Sequence, residues 1–229
     1  MKTTTRKRQG FTLVELLVVI AIIATLAGVG VPVLLGKKKE GDKAQATLNA
    51  KQVGYALFSF DGDYGEFPST TTKTKIETDN TSPVFSSATG ANEYLSQLFA
   101  GGYIDQEKPF FAKGPMCRQE GDNDLSTSAT LLKGGENGFG YVMKSATEAL
   151  NSSMVSNLPL LVAPNATGTD GKQFDLDTYN KKAIVLSIDM SVSAQTIKTD
   201  KTIKALSTGT GTPWETLGLT PEVLAPKAP

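Results

Sequence analysis

The chain has 229 residues, 23 Lys plus Arg against 23 Asp plus Glu, and no histidine. Balanced charge argues against a nucleic-acid-binding domain, and without imidazole there is no Ser-His or Cys-His catalysis, no histidine-ligated zinc and no histidine-based pH sensing. Cys117 is the single cysteine, which excludes an internal disulfide or a multi-cysteine metal cluster and reads as a small apolar filler.

The length leaves room for one ordinary domain plus an appendage, and the appendage comes first. Met1 to Gly10 carries Lys2, Arg6, Lys7 and Arg8 and no acid. Phe11 to Leu35 is then almost wholly apolar, and as a helix it spans roughly 37 Å at about 1.5 Å per residue. That is enough to cross a hydrocarbon core of about 30 Å. The basic start predicts a cytoplasmic N-terminus with the remainder outside. One acid interrupts the segment. A carboxylate such as Glu15 costs about 2.5 to 3.5 kcal/mol at the centre of a membrane helix, so it calls for a partner; the simpler reading is that it snorkels to the interface. Gly28, Gly30 and Pro32 predict a weak point or kink, because glycine lacks helix propensity and proline removes a backbone donor.

The leader closing on Gly10, followed by Phe11-Thr12-Leu13-Val14-Glu15-Leu16-Leu17 and the apolar run, resembles the class III signal of type IV pilins and type II secretion pseudopilins. The resemblance implies that a prepilin peptidase cuts after Gly10, that Phe11 becomes a methylated N-terminus, and that Glu15 is required for subunit assembly. It further implies a bacterial inner-membrane protein with one pass, a cytoplasmic N-terminus and a periplasmic head, taken up into a filament by an assembly platform together with other pilin-like subunits. The Phe11 amine of a neighbouring copy is then the natural partner of Glu15, and removing one member of such a buried pair costs about 3 to 5 kcal/mol.

Lys37-Lys38-Lys39-Glu40 ends the apolar run. From Asp42 the pattern is that of an amphipathic helix continuing the same element to Phe60, with Ala46, Val53, Leu57 and Phe60 on one stripe and Leu48 and Ala56 beside it. No heptad repeat is present. One apolar face predicts packing on a globular head. Asp61-Gly62-Asp63-Tyr64-Gly65-Glu66-Phe67-Pro68 then stops the helix and is similar to the turn after the long helix in major pseudopilins. Asp61, Asp63 and Glu66 offer oxygen ligands for calcium, but Gly65 breaks the EF-hand pattern and a helix-ending turn is the simpler reading.

Ser69 to Gly90, rich in Thr and Ser, reads as an exposed loop. Asn92 to Ala100 reads as a short helix with Leu95, Leu98 and Phe99 inward, closed by Gly101-Gly102. Tyr103 to Phe111 reads as an apolar edge over a sheet. The block L-F-A-G-G-Y-I-D-Q-E-K-P-F-F is similar to the middle of prepilin-like secretion proteins of one bacterial group. Four strands are predicted at Gly138–Met143, Leu158–Val162, Ala183–Ile188 and Val192–Ile197, the last two joined by a hairpin turn at Asp189-Met190-Ser191. Asp170, Asp175 and Asp177 form a second acidic group in a glycine-containing loop, for which solvation is the simpler account. The tail from Ser207 is Thr, Gly and Pro rich; Thr212-Pro213-Trp214-Glu215 predicts one capped helical turn, with Trp214, Leu217 and Leu219 as its attachments to the domain.

The expected architecture is α+β, pilin-like: a leader (1–10), a transmembrane and assembly helix (11–35), an amphipathic stem (36–60), a head with a small antiparallel sheet (61–206) and the tail (207–229). No P-loop, dinucleotide fingerprint, H-E-x-x-H, S-x-x-K or G-x-S-x-G occurs, and the sequons at Asn80, Asn151 and Asn165 are chance occurrences. The expected role is a non-enzymatic subunit of a type II secretion pseudopilus, without cofactor, calcium at Asp61 and Asp63 or at Asp175 and Asp177 being the one candidate. The residues leave open a type IV pilus subunit, major or minor, and a binding module held at the membrane by an uncleaved anchor.

Overall fold

The computed structural model describes residues 11–79, 90–127, 130–168, 171–208, 210 and 212–229. Gly10, Asn80 and Asp170 fall outside them. Two compact units make up the chain, 1–38 and 39–229.

Helix α1 runs over Leu13–Tyr64. In the first unit it is helical without a break through Gly28, Gly30 and Pro32, where the sequence predicted a weak point. Its described large apolar side chains from Phe11 to Leu35 are 45–78% exposed. This helix is long and apolar enough to cross a membrane. Side chains turned outward on all sides are what a lipid or protein environment, rather than water, would cover.

In the second unit α1 becomes one-sided. Ala46, Ala50, Val53, Leu57 and Phe60 recur every three or four residues and are all buried in the core of the head. Small residues on that stripe allow close approach to the sheet. A Cβ at Gly54 would stand 2.8 Å from a methyl of Leu186, so the helix backbone lies almost against the sheet's side chains. Asn49 is buried on the same side, and its amide donates to the carbonyl of Phe111 at 2.7 Å. Leu48, expected beside the inward stripe, is instead 59% exposed. The helix also continues to Tyr64, four residues beyond the predicted stop at Phe60, because Asp61, Gly62 and Asp63 extend it before Gly65 turns the chain at φ 80°.

The sheet is antiparallel, with spatial order β4-β3-β2-β1-β5. Its strands are β1 Gly140–Met143, β2 Pro159–Ala163, β3 Lys182–Ser187, β4 Val192–Thr196 and β5 Glu222–Leu224. The first three are buried on both faces and read as continuous apolar runs, whereas β4 is polar and largely exposed. The hairpin of β3 and β4 pairs Leu186 with Val192 and Ile184 with Ala194, around the predicted turn.

Three segments depart from expectation. Within Ser69–Gly90, expected as a loop, α2 occupies Thr70–Asp79. Ser69 and Thr72 cap its start reciprocally: the Ser69 N–H donates to Thr72 Oγ1 at 2.8 Å and the Thr72 N–H to Ser69 Oγ at 3.1 Å. Thr72 is held to α4 (Gln97–Ala100) by a 2.7 Å bond to the Gln97 side chain, and Ile76 is fully buried. The second departure is β5, which makes part of the Pro-rich tail the fifth strand, paired with β1 through Val142 and Val223. The short helix expected at 92–100 is split at Ser96 into α3 (Ala91–Leu95) and α4. Glycines admit the tail's backbone. A Cβ at Gly134 would lie 2.2 Å from the Ala228 carbonyl oxygen and one at Gly171 would lie 2.4 Å from that of Val223. One-turn helix α5, Pro213–Thr216, stands where the capped turn was predicted, its Glu215 N–H donating to Thr212 Oγ1, and Trp214 is fully buried.

Candidate functional site

The start of α1 is built by two side chains. Thr12 is the last residue before the helix, and its N–H and Oγ1–H both donate to Glu15 Oε2, at 2.8 and 2.7 Å. The Glu15 N–H donates back to Thr12 Oγ1 at 3.2 Å. This is a capping box, in which residues three apart satisfy each other's open backbone donors. Glu15 therefore has hydrogen-bond partners within its own chain, and negative charge there also complements the positive end of the helix. The T-x-x-E spacing of Thr12 and Glu15 is the sequence signal of this arrangement. Phe11, next to Thr12, is 78% exposed.

The acids singled out as cation ligands stand apart. Asp61 and Asp63 both lie within α1, two residues and therefore roughly 200° apart around the helix. Asp61 is buried and accepts hydrogen bonds from the Ser152 N–H, at 3.3 Å, and from its hydroxyl. Asp63 is exposed and accepts from the Tyr103 hydroxyl at 2.6 Å. Asp175 Oδ2 accepts from the Asp177 and Thr178 N–H groups and from Thr178 Oγ1, while Asp177 faces solvent 3.8 Å from Lys39. Asp61, Asp63 and Asp175 thus each accept from local donors.

Another set of carboxylates does converge. Oxygens of Glu107, Asp122 and Glu136 lie within 4.8 Å of one another, with Glu107 and Glu136 buried. Glu107 ties a long irregular segment together. Its Oε1 accepts from the Leu132 N–H at 2.9 Å, its Oε2 from the Asn123 N–H at 2.7 Å, and its own N–H donates to Asn123 Oδ1 at 2.8 Å. Glu136 accepts from the Lys133 N–H at 2.6 Å, and the Lys133 ammonium sits 2.6 Å from Asp122. The Lys133 hydrogen bond holds Asp122 below the usual carboxylate range, whereas burial and then the nearby Glu107 charge push Glu136 above it. These acids are spread over thirty positions and carry no local spacing signal. Their visible work is to organise the 107–136 segment through backbone donors.

Cys117 is buried, and loss of hydration pushes its thiol up to about 11. That environment fits the apolar filler read from the sequence.

Comparison with known proteins finds one N-terminal motif and one group of relatives. The model of the prokaryotic N-terminal methylation motif matches residues 5–31. The type II secretion system core protein G of Escherichia coli strain K12 is 41% identical over 66 residues, 29% of this chain and 46% of that protein. The core protein G of Vibrio cholerae is 38% identical over 65 residues, 28% of this chain and 44% of the relative. That of Klebsiella pneumoniae is 30% identical over 99 residues, 43% and 65%. The chain thus spans about half the length of the first curated relatives it matches. No solved structure matches it. With a capped, outward-facing apolar helix ahead of an α+β head, the chain carries a prepilin methylation motif and is similar, over part of its length, to type II secretion pseudopilins.

Proposed function

We propose that this chain is a structural subunit of a type II secretion pseudopilus. The leader is removed by prepilin peptidase between Gly10 and Phe11, and the new Phe11 amine is methylated. The mature protein waits in the bacterial inner membrane as a single-pass protein, N-terminus cytoplasmic and head periplasmic, until an inner-membrane assembly platform draws it into a filament with other pilin-like subunits. Its role is to be packed rather than to catalyse.

The observation that carries this reading is the first part of α1. A helix whose apolar side chains face outward on all sides needs a complete apolar surround, and a bilayer or a bundle of like helices provides one. Glu15 fits both settings. In the single chain Thr12 satisfies its carboxylate, and in a filament the amine of a neighbour's Phe11 offers a full opposite charge.

Mass spectrometry of the protein purified from membranes tests the proposal directly. The expected mature N-terminus is N-methyl-Phe11; a chain that retains Met1 to Gly10 refutes it. Gly10→Ser is expected to leave a precursor of higher mass. Glu15→Val is expected to insert normally and fail to enter filaments, and its normal recovery in filament preparations would sink the charge-pairing account.

A further inference from the structure

Charge is unevenly spread along the chain. Segments 37–43, 172–182 and 198–204 together hold ten lysines and five acids, whereas the remainder beyond Gly10 holds nine basic and eighteen acidic residues. From Lys39 onward the first segment meets the other two in the head unit. The Lys39 ammonium stands 3.8 Å from Asp177. The Lys181 N–H donates to the Leu176 carbonyl, and the Lys181 carbonyl accepts from the Ile197 N–H, both at 2.9 Å. The Lys198 N–H donates to the Thr202 carbonyl at 2.9 Å, the Lys201 N–H to the Lys198 carbonyl at 3.0 Å, and the Phe174 N–H to the Lys201 carbonyl at 2.8 Å. These bonds gather the approach to β3 and the turn after β4 at one end of the sheet, beside Lys39. Lys181, Lys198, Lys201 and Lys204 are all exposed there.

The neighbouring acids do not cancel the surplus. Asp177 stands beside Lys39, Asp175 accepts from Thr178, and Asp200 accepts from the Thr202 N–H and hydroxyl. Asp42 pairs with Lys113 at 2.8 Å and Lys172 with Glu222 at 3.6 Å, two bridges to residues outside the three segments that leave the balance as it was. We propose that this lysine-rich end of the head, Lys39 with Lys181, Lys198 and Lys201, binds the anionic phospholipid headgroups of the membrane that the apolar segment crosses. This rests on the membrane-spanning reading above and adds the surface by which the stored head is held.

Chain connectivity brings the patch to its partner. Lys39 follows Leu35 by four residues, which keeps it within about 14 Å of the end of the apolar segment. The headgroup region is about 5 to 7 Å deep on each side of the hydrocarbon core, and charge is felt across roughly a further 8 Å at physiological salt. The lysine cluster around Lys39 is therefore anchored next to that layer. Lys37-Lys38-Lys39 also stands on the side of the segment where basic residues are ordinarily few. An anionic surface turns that placement into an attraction, with each lysine near it strengthening the hold about fivefold, and a zwitterionic surface offers no such gain. Lipid charge then sets how firmly the head is held before a subunit leaves the bilayer.

Fluorescence quenching in vesicles tests this on the full chain. A thiol-reactive fluorophore is placed at the exposed position 199 by Thr199→Cys, and Cys117 stays in place because it is buried and its thiol is held protonated. The quencher is a phospholipid spin-labelled on its headgroup, in vesicles of phosphatidylcholine alone or with about one third phosphatidylglycerol. Quenching is expected to be at least about threefold greater in the anionic vesicles and to fall to the zwitterionic level in about 1 M salt, where the screening length is about 3 Å. Lys181→Gln, Lys198→Gln and Lys201→Gln together are expected to abolish the difference, and the same three changes to Arg to keep it. The same label at Val155→Cys, in the segment next to the Ser152 that bonds Asp61 near the other end of α1, is expected to show no difference. Unchanged Trp214 fluorescence in each variant confirms that the head has folded. Equal quenching in the two vesicle types, a glutamine variant that matches the parent, or an equal rise at position 155 overturns the lipid seat and leaves the membrane reading standing. Loss of the difference on adding inorganic phosphate at matched ionic strength overturns it in favour of a free-anion site. Release of the unaltered chain from vesicles by alkaline carbonate overturns both readings.

Discussion

Trp214 is the one tryptophan in the chain and the largest fully buried side chain in the head, although it sits in a segment rich in Thr, Gly and Pro. Its indole Nε1–H donates to the Ala205 carbonyl at 2.8 Å, which joins the tail to the segment after β4. Trp214→Ala removes the buried ring and leaves a large cavity, a change that costs about 3 to 5 kcal/mol. Trp214→Phe keeps most of the apolar burial and loses the hydrogen bond, which makes its cost about 1 to 2 kcal/mol. With a urea dependence of about 2 kcal/mol/M, the midpoint of unfolding is expected to fall by roughly 2 M for the alanine variant and by under about 1 M for phenylalanine. The assay is urea titration of the full chain in detergent, followed by near-ultraviolet circular dichroism of the tyrosines, since both variants lose the tryptophan signal. An alanine variant whose midpoint moves by less than about 0.5 M would refute the argument. The tail would then be an accessory to a head that is stable without it.

Glu136 gives a prediction with a definite sign. Its carboxyl is held above the ordinary range by burial and by Glu107, so the folded state binds its proton more tightly than the unfolded chain does. The stability it contributes is fully present below the ordinary carboxylate range and is lost as pH rises through the raised value. Glu136→Gln, which retains an acceptor for the Lys133 N–H, is expected to stabilise the head near pH 7 relative to the parent and to flatten that part of the pH profile. Equal slopes in parent and variant, measured by urea midpoints between pH 4 and 8, would contradict it. Cys117, with its thiol pushed up to about 11 by burial, is expected to resist a maleimide at pH 7.5 in the folded chain and to react in denaturant. Rapid labelling under native conditions would show that the 114–119 turn opens freely.

The long helix and the strands were legible because their signals are apolar and periodic. Ala46, Val53, Leu57 and Phe60 recur at helical spacing, and β1 to β3 are short runs that the sheet buries on both faces. The α2 helix was hidden because its decisive contacts are polar. Thr72 reaches Gln97, Ser69 caps the first turn, and Ile76 is the only large apolar residue that the segment buries. Hydrophobic periodicity has no purchase on a helix anchored by hydroxyls, and threonine's modest helix propensity points the other way. The β5 strand was hidden because it is three residues long and its fit depends on a glycine some fifty residues earlier, Gly171. Glu15 is bonded within its own chain by Thr12, a pairing that the T-x-x-E spacing makes legible as a capping box once the helix start is fixed.

The position of β5 has a consequence for how the head comes into being. β1 lies between β2 and a strand that comes roughly eighty residues later in the sequence. At about 5 to 20 residues per second, the roughly eighty residues between Met143 and Glu222 take on the order of 4 to 16 s to synthesise. Throughout that interval one edge of β1 has no mate, and an unpaired edge is a template for pairing with another chain. The apolar helix, by contrast, precedes every strand in the sequence and is made before the sheet can close. The sheet therefore closes only once Glu222–Leu224 has been made, long after the strands that it completes.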